Sequence, residues 1–121
     1  MSRKTTGAAG EKLAADFLAR RGYRLVETNY RCREGEVDII ANKDNCLIFV
    51  EVRTKHSSAF GSPEESITDR KKEHLRAVAA RYRETHVDLP QAWRIDVVAV
   101  ELDNAGKTRR IEVIENAVED E

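Results

Sequence analysis

Two acids stand where a strand would normally bury apolar side chains. Asp38 lies between Val37 and Ile39, and Glu51 lies between Val50 and Val52. The runs Val37 to Ala41 and Leu47 to Val52 flank an Asn-Lys-Asp-Asn stretch. That pattern predicts a β-hairpin with a loop of about 3 to 5 residues. If the turn is centred between Asp44 and Asn45, Asp38 falls directly opposite Glu51. If it is centred one residue earlier, the acids become diagonal neighbours at roughly 7–8 Å, still on one face. Directly opposed carboxylates about 5 Å apart repel by on the order of 3 kcal/mol at an effective dielectric of about 20, before any desolvation. A divalent cation is the simplest offset. Mg²⁺ is commonly held by one or two carboxylates while keeping water and phosphate oxygens as its other ligands. Arg53 shares the face of Glu51 by strand alternation and adds a fixed charge with a phosphate-matching fork. The competing reading makes Asp38 and Glu51 edge-strand charges, each paired with an arginine.

The elements that would position these groups follow from periodicity. Leu13, Ala14, Phe17 and Leu18 recur at helical spacing between Gly7 and Arg21, with Gly22 as the stop. Glu11 shares that inward stripe. It is either a third acid for the hairpin pair or a first-turn acid favoured by the helix dipole. Arg24 to Arg31 reads as a strand, and Arg31 to Gly35 as the turn into the hairpin. Arg31 and Arg33 would touch phosphate or pair with Glu34 and Glu36. Glu36 shares a face with Asp38 and is either an outer ligand or a solvated strand-start charge. Thr54 to Pro63 reads as a polar loop at the mouth of the pair, bringing Lys55 and His56. Ser62-Pro63-Glu64-Glu65 has a capping-box pattern and Thr68-Asp69 is a second helix start, so a short turn is expected before the main helix. The second helix then runs to about Thr85 on Leu75, Val78, Ala79 and Tyr82. Lys71 sits on its apolar stripe near the N-terminal end, disfavoured there by both dipole and burial. Its amine would reach a carboxylate cluster or a phosphate, or else it belongs to a solvated face with Glu73 and Glu84. Arg70, Lys72, Arg76, Arg81 and Arg83 make this helix the most basic element. Trp93 to Leu102 and Arg109 to Ile114 are the last strands, antiparallel to one another, with Arg94 and Asp96 spaced as an ion pair.

Bulk properties narrow the classes. A chain of 121 residues with 40% hydrophobic content is expected to form one domain over 1–121, with a core at about 7–115 and a frayed acidic tail at 116–121. Charged residues make up 36%, above the usual ~25%. The net charge is -1, but the last ten residues hold five acids and no base, leaving a body with 21 bases against 17 acids. That balance is compatible with a nucleic-acid partner. Cys32 and Cys46 form no C-x-x-C, and His56, His74 and His86 show no zinc spacing with them. The first residues lack the apolar stretch of a signal peptide, and no apolar run approaches the ~18 residues of a membrane span. A cytoplasmic protein with no membrane partner is expected.

Gly10-Glu11, Asn29-Tyr30-Arg31, Gly35-Glu36-Val37-Asp38, Phe49-Val50-Glu51-Val52-Arg53, Lys71 and Arg94-Ile95-Asp96 together resemble the YraN-like family of small bacterial proteins, long predicted to be endonucleases. That family is similar to archaeal Holliday-junction resolvases and to the wider PD-(D/E)XK nucleases. The likeness spans about residues 7 to 115. It implies an α/β fold with a single mixed central sheet of about five strands flanked by helices, in the order αβββαββ. It also implies that Asp38 and Glu51, with the Val52 carbonyl and Glu11, hold Mg²⁺ or Mn²⁺. Arg53 and Lys71 would then act on the phosphate. Arg31, Arg33, Lys55, His56, Arg70 and Lys72 would grip structured DNA, and paired cuts would require a homodimer. The sequence departs from the superfamily pattern at Arg53, where that pattern has a lysine, and arginine does not give up its proton. A catalytically silent nucleic-acid-binding module is therefore the alternative function, and a protein-binding adaptor a third.

Overall fold

The computed structural model describes residues 3–56 and 61–119. Helix α1, Arg3–Arg20, ends as its sequence predicts. Gly22 is left-handed (φ 88°), Tyr23 N–H donates to the Leu18 carbonyl and Gly22 N–H to that of Ala19. These bonds form a complete Schellman stop, which needs a residue tolerant of positive φ. Strands β1, Arg24–Cys32, β2, Gly35–Lys43, and β3, Cys46–His56, follow as an antiparallel meander. After a single 3-10 turn at Glu64–Ser66 come helix α2, Asp69–Thr85, and strands β4, Ala92–Leu102, and β5, Thr108–Ile114.

The sheet order is β1-β2-β3-β4-β5, antiparallel throughout except for the β3–β4 pair. Parallel neighbours need a crossover rather than a hairpin, and α2 supplies it. The two helices therefore cover opposite faces. Ala14 and Leu18 of α1 pack with Ile39, Ile48, Val50, Val98 and Val100. Leu75, Val78, Ala79 and Tyr82 of α2 pack with Ile40, Leu47, Phe49 and Ile95. Burial on both faces explains why β3 and β4 read as nearly continuous apolar runs. The mixed five-stranded sheet and the order αβββαββ are as expected.

Two local expectations need correction, the hairpin loop and the tail. The β2–β3 connection has two residues, because Lys43 pairs with Cys46. Asp44 and Asn45 both take positive φ (51° and 60°), the arrangement that matches hairpin twist. As expected, a short turn at the Ser62 pattern precedes the main helix, with Ser62 Oγ donating to Glu65 Oε1 at 2.8 Å. The helix starts at Thr68, whose Oγ1 accepts from Lys71 N–H at 3.1 Å. The acidic tail is docked through residue 119 rather than frayed. Val118 is buried against the α2 face, Asn116 N–H donates to Asp96 Oδ1 at 2.9 Å, and Arg76 Nε donates to the Glu119 carbonyl at 2.7 Å.

Helix α1 approaches β3 closely at Gly10. A Cβ there would lie 1.9 Å from Thr54 Oγ1 and 3.0 Å from Thr54 Cβ, whereas one at Gly7 would meet nothing within 4 Å. Gly10→Ala is expected to lower stability by about 1–3 kcal/mol through overpacking. Gly7→Ala is expected to raise it by roughly 0.5–1 kcal/mol through helix propensity. Thermal unfolding of the two variants should move Tm in opposite directions. Equal shifts would mean that the Gly10–Thr54 approach does not limit packing.

Candidate functional site

The β2–β3 ladder ends at Ile39 and Val50. Continuing that register places Asp38 opposite Glu51, the first of the two registers considered from the sequence. The strands have parted at this point, and the Asp38 carboxylate fills the gap. Its Oδ2 accepts the Val52 N–H at 2.7 Å, where a regular ladder would present a backbone carbonyl. Because the N–H and C=O of one strand residue point to the same side, the Val52 carbonyl also faces this fork.

Glu51 projects toward α2 and is 4% exposed. Its Oε2 lies 3.7 Å from Lys71 Nζ and 3.4 Å from Arg53 Nε. The lysine misplaced by sequence rules is thus aimed at the buried acid, from the positive end of the α2 dipole. Glu11 of α1 lines the same cavity as Asp38, and the Asp38 charge acts on its carboxyl. The fork opens into a cavity of about 740 Å³, whose lining includes Glu11, Asp38, Glu51, Arg53, Lys55 and Lys71.

Electrostatics are dominated by the acids. Burial pushes Glu51 up to about 8 and the Asp38 charge adds to this, while Lys71 and Arg53 oppose it without cancelling it. Glu11 is pushed up to about 7, first by burial, then by Asp38, with a smaller contribution from Glu36. Without further positive charge, these carboxyls hold protons near neutral pH. The donor set fits a hard cation, offering carboxylate oxygens and a backbone carbonyl. Among the described residues no group of three His, Cys, Asp or Glu side chains forms a metal cage by itself, so an ion would need ligands from outside the protein as well. Arg53 Nε is a donor that an additional anionic oxygen would satisfy. It is buried without a hydrogen-bond acceptor, since its 3.4 Å approach to Glu51 is a charge contact without hydrogen-bond alignment.

The other candidates are dispersed around this centre. Arg31 Nε pairs with Glu36 Oε2 at 3.0 Å on the surface, and Glu36 also lines the cavity. Arg33 is exposed on the β1–β2 turn, while its neighbour Glu34 is gripped by Arg81 at 2.8 and 2.9 Å. Lys55 and His56 line the cavity from β3, which extends to His56, so they are strand residues rather than loop residues as expected. Lys55 Nζ donates to the Gly61 carbonyl at 3.0 Å, and His56 Nδ1 lies 3.4 Å from that of Asp103. Residues 57–60 of the expected loop lie outside the described residues. Arg70 is exposed and Lys72 partly buried on the first turns of α2, neither lining the cavity. Arg94 and Asp96 form the expected pair at 2.9 Å, joined by Tyr23 Oη, which donates to Asp96 Oδ2 at 3.1 Å. This cluster faces α1 and fastens the tail.

Sequence reasoning missed how the site wall is braced. Arg110 of β5 contacts Glu64 at 2.7 Å, Glu101 at 3.2 Å and Glu112, and so anchors the 3-10 turn whose Ser66 lines the cavity. Nothing short-range marks a contact between residues 46 apart. The Glu51 shift also has a thermodynamic consequence. Its folded-state value near 8 lies above the ordinary 4.5, so the native state keeps a proton that the unfolded chain releases. The associated stability is fully present below pH 4.5 and is lost as pH rises through 8. In EDTA, wild-type Tm should therefore fall from pH 5 to 8.5 more steeply than that of Glu51→Gln. Parallel profiles would refute this origin of the pH dependence.

A model of the uncharacterised protein family UPF0102 matches residues 10–100. The UPF0102 protein of Moorella thermoacetica is 44% identical to this chain over 97% of it and 98% of the relative. That of Dehalococcoides mccartyi is 45% identical over 99% and 98%, and that of Roseiflexus castenholzii 45% identical over 98% and 96%. The matched span includes Glu11, Asp38, Glu51, Arg53 and Lys71. The site is thus built within the part of the sequence that carries the relationship, and the chain belongs to the UPF0102 family, the YraN-like family its motifs resemble.

Proposed function

We propose that the protein is a metal-dependent endonuclease acting on phosphodiester bonds of branched or otherwise structured DNA. The observation that carries this reading is the convergence of Glu11, Asp38 and Glu51 from three elements, with Lys71 and Arg53 against the most buried acid. A purely structural fork gains nothing from three mutually repelling carboxyls. A phosphate-metal site does, because a bound cation would offset their repulsion.

Asp38 and Glu51, with Glu11 and the Val52 carbonyl, would hold Mg²⁺ or Mn²⁺. The ion, when bound, acidifies its water and neutralises charge on the phosphoryl oxygens. Arg53 keeps its proton, so its part is to bind a non-bridging oxygen and stabilise the charge that develops there. Lys71 would supply the second positive charge, beside Glu51. Arg31, Arg33, Lys55, His56, Arg70 and Lys72 would hold the nucleic-acid backbone without reading bases. Symmetric cuts in a branched substrate would need two copies related by a two-fold axis.

A silent nucleic-acid-binding module is the second reading, favoured by the arginine at position 53, which cannot act as a general base. The test is gel-resolved cleavage of labelled four-way junction, flap, single-stranded and linear duplex DNA with Mg²⁺ or Mn²⁺. Asp38→Asn and Glu51→Gln should each lower metal-dependent cleavage by roughly 100-fold or more, the scale of losing one transition-state charge contact. Metal-independent binding with no cleavage of any substrate would overturn the enzyme reading in favour of the silent one.

A further inference from the structure

We infer that Asn29 is the positioning residue for Asp38, acting through a left-handed kink in β1 that rotates the β1–β2 arm and opens the fork. The inference rests on the reading of Asp38 as a central acid of the site. Thr28 pairs with Ile39 and Tyr30 with Val37, so Asn29 stands opposite Asp38. Its φ is +53°. The other described non-glycine residues with positive φ, Asp44, Asn45, Asp88 and Asn116, lie in connections or beyond a strand end. Asn29 lies inside a strand, with paired residues on both sides.

The two faces of β2 record what the kink does. Ile39 and Ala41 belong to the α1-side core and Ile40 to the α2-side core, as strand alternation requires. Val37 should then join Ile39. It packs instead on the α2 side, together with Tyr30 and Cys32 of β1. Both strands therefore exchange faces between the Thr28–Ile39 and Tyr30–Val37 pairs. The residue count across this step is unchanged, so the arm rotates without an inserted residue.

Asp38 sits at the step. In an unkinked strand it would share the face of Ile40 and point into the apolar cluster of α2. With the arm rotated, the β2–β3 ladder stops at Ile39 and Val50, and the carboxylate turns into the gap to take the Val52 N–H. An asparagine suits this position for a backbone reason. Asn and Gly enter the left-handed region most readily, and β-branched residues least. Packing offers no competing explanation, since the side chain is exposed.

The test compares Asn29→Gly, Asn29→Ala and Asn29→Val by amide hydrogen exchange, with the Asp38→Ala protein as the reference for a lost Val52 bond. Asn29→Gly should keep wild-type protection at Val52. Asn29→Val should lose it by a factor of roughly 5–30, while Phe49 and Val98 amides stay protected. Asn29→Ala should fall between them, and this ordering decides the matter if the valine variant fails to fold. Equal Val52 protection in all three variants, or loss in the glycine variant alone, would overturn the inference. Cleavage measured in parallel should follow the same order. Absence of cleavage in the wild type, with the exchange order intact, would remove the nuclease reading and leave the kink's role standing.

Discussion

Carboxyls that repel one another are held together here at the edge of an apolar core, and much of the local structure answers that constraint. Glu51 is surrounded by apolar strands, so its charge cannot be dispersed into solvent. The nearby positive groups are Arg53, fixed two residues along the same strand, and Lys71, delivered by a different element. That delivery depends on topology. Because β3 and β4 run parallel, the chain must cross over between them, and the crossover helix begins beside the end of β3 with its positive dipole end and third residue at the acid. An antiparallel connection at this point would place a turn where Lys71 now stands.

The same constraint explains how positive charge is distributed. Many arginines are already matched: Arg31 with Glu36, Arg81 with Glu34, Arg94 with Asp96, and Arg110 with Glu64. These pairs fasten turns and strands to one another and leave the overall charge near neutral. Attraction for an anionic polymer would therefore be local to the cavity and the start of α2, rather than a property of the whole surface.

Much of the site was legible because it breaks local rules. Asp38 and Glu51 interrupt apolar runs, and Lys71 sits at the wrong end of a helix on the wrong stripe. Lys71 answers Glu51 directly, and Asp38 is held by the Val52 N–H. Of the two hairpin registers the sequence left open, the one centred between Asp44 and Asn45 forms, and both residues take left-handed backbone. The loop length was overestimated because their neighbours are turn formers as well. What could not be read was geometry that depends on distant partners. Val118 is one apolar residue among acids and gives no sign of docking until the α2 face exists. The Arg110 anchor joins residues far apart in the chain. Asn29 looks like an ordinary polar strand residue until the exchange of core faces around it is seen.

The kink at Asn29 has a second effect, on the rim of the sheet. β1 is an outer strand nine residues long, and it leaves Leu25 and Val26 well exposed. Such a rim is ordinarily a template on which a strand from another chain can add. This one is broken twice, by the irregularity between Leu25 and Glu27 and by the left-handed residue at 29. Only short regular stretches remain between those breaks. The distortion that parts two inner strands at the site also keeps the outer strand from serving as a seed for intermolecular sheet growth.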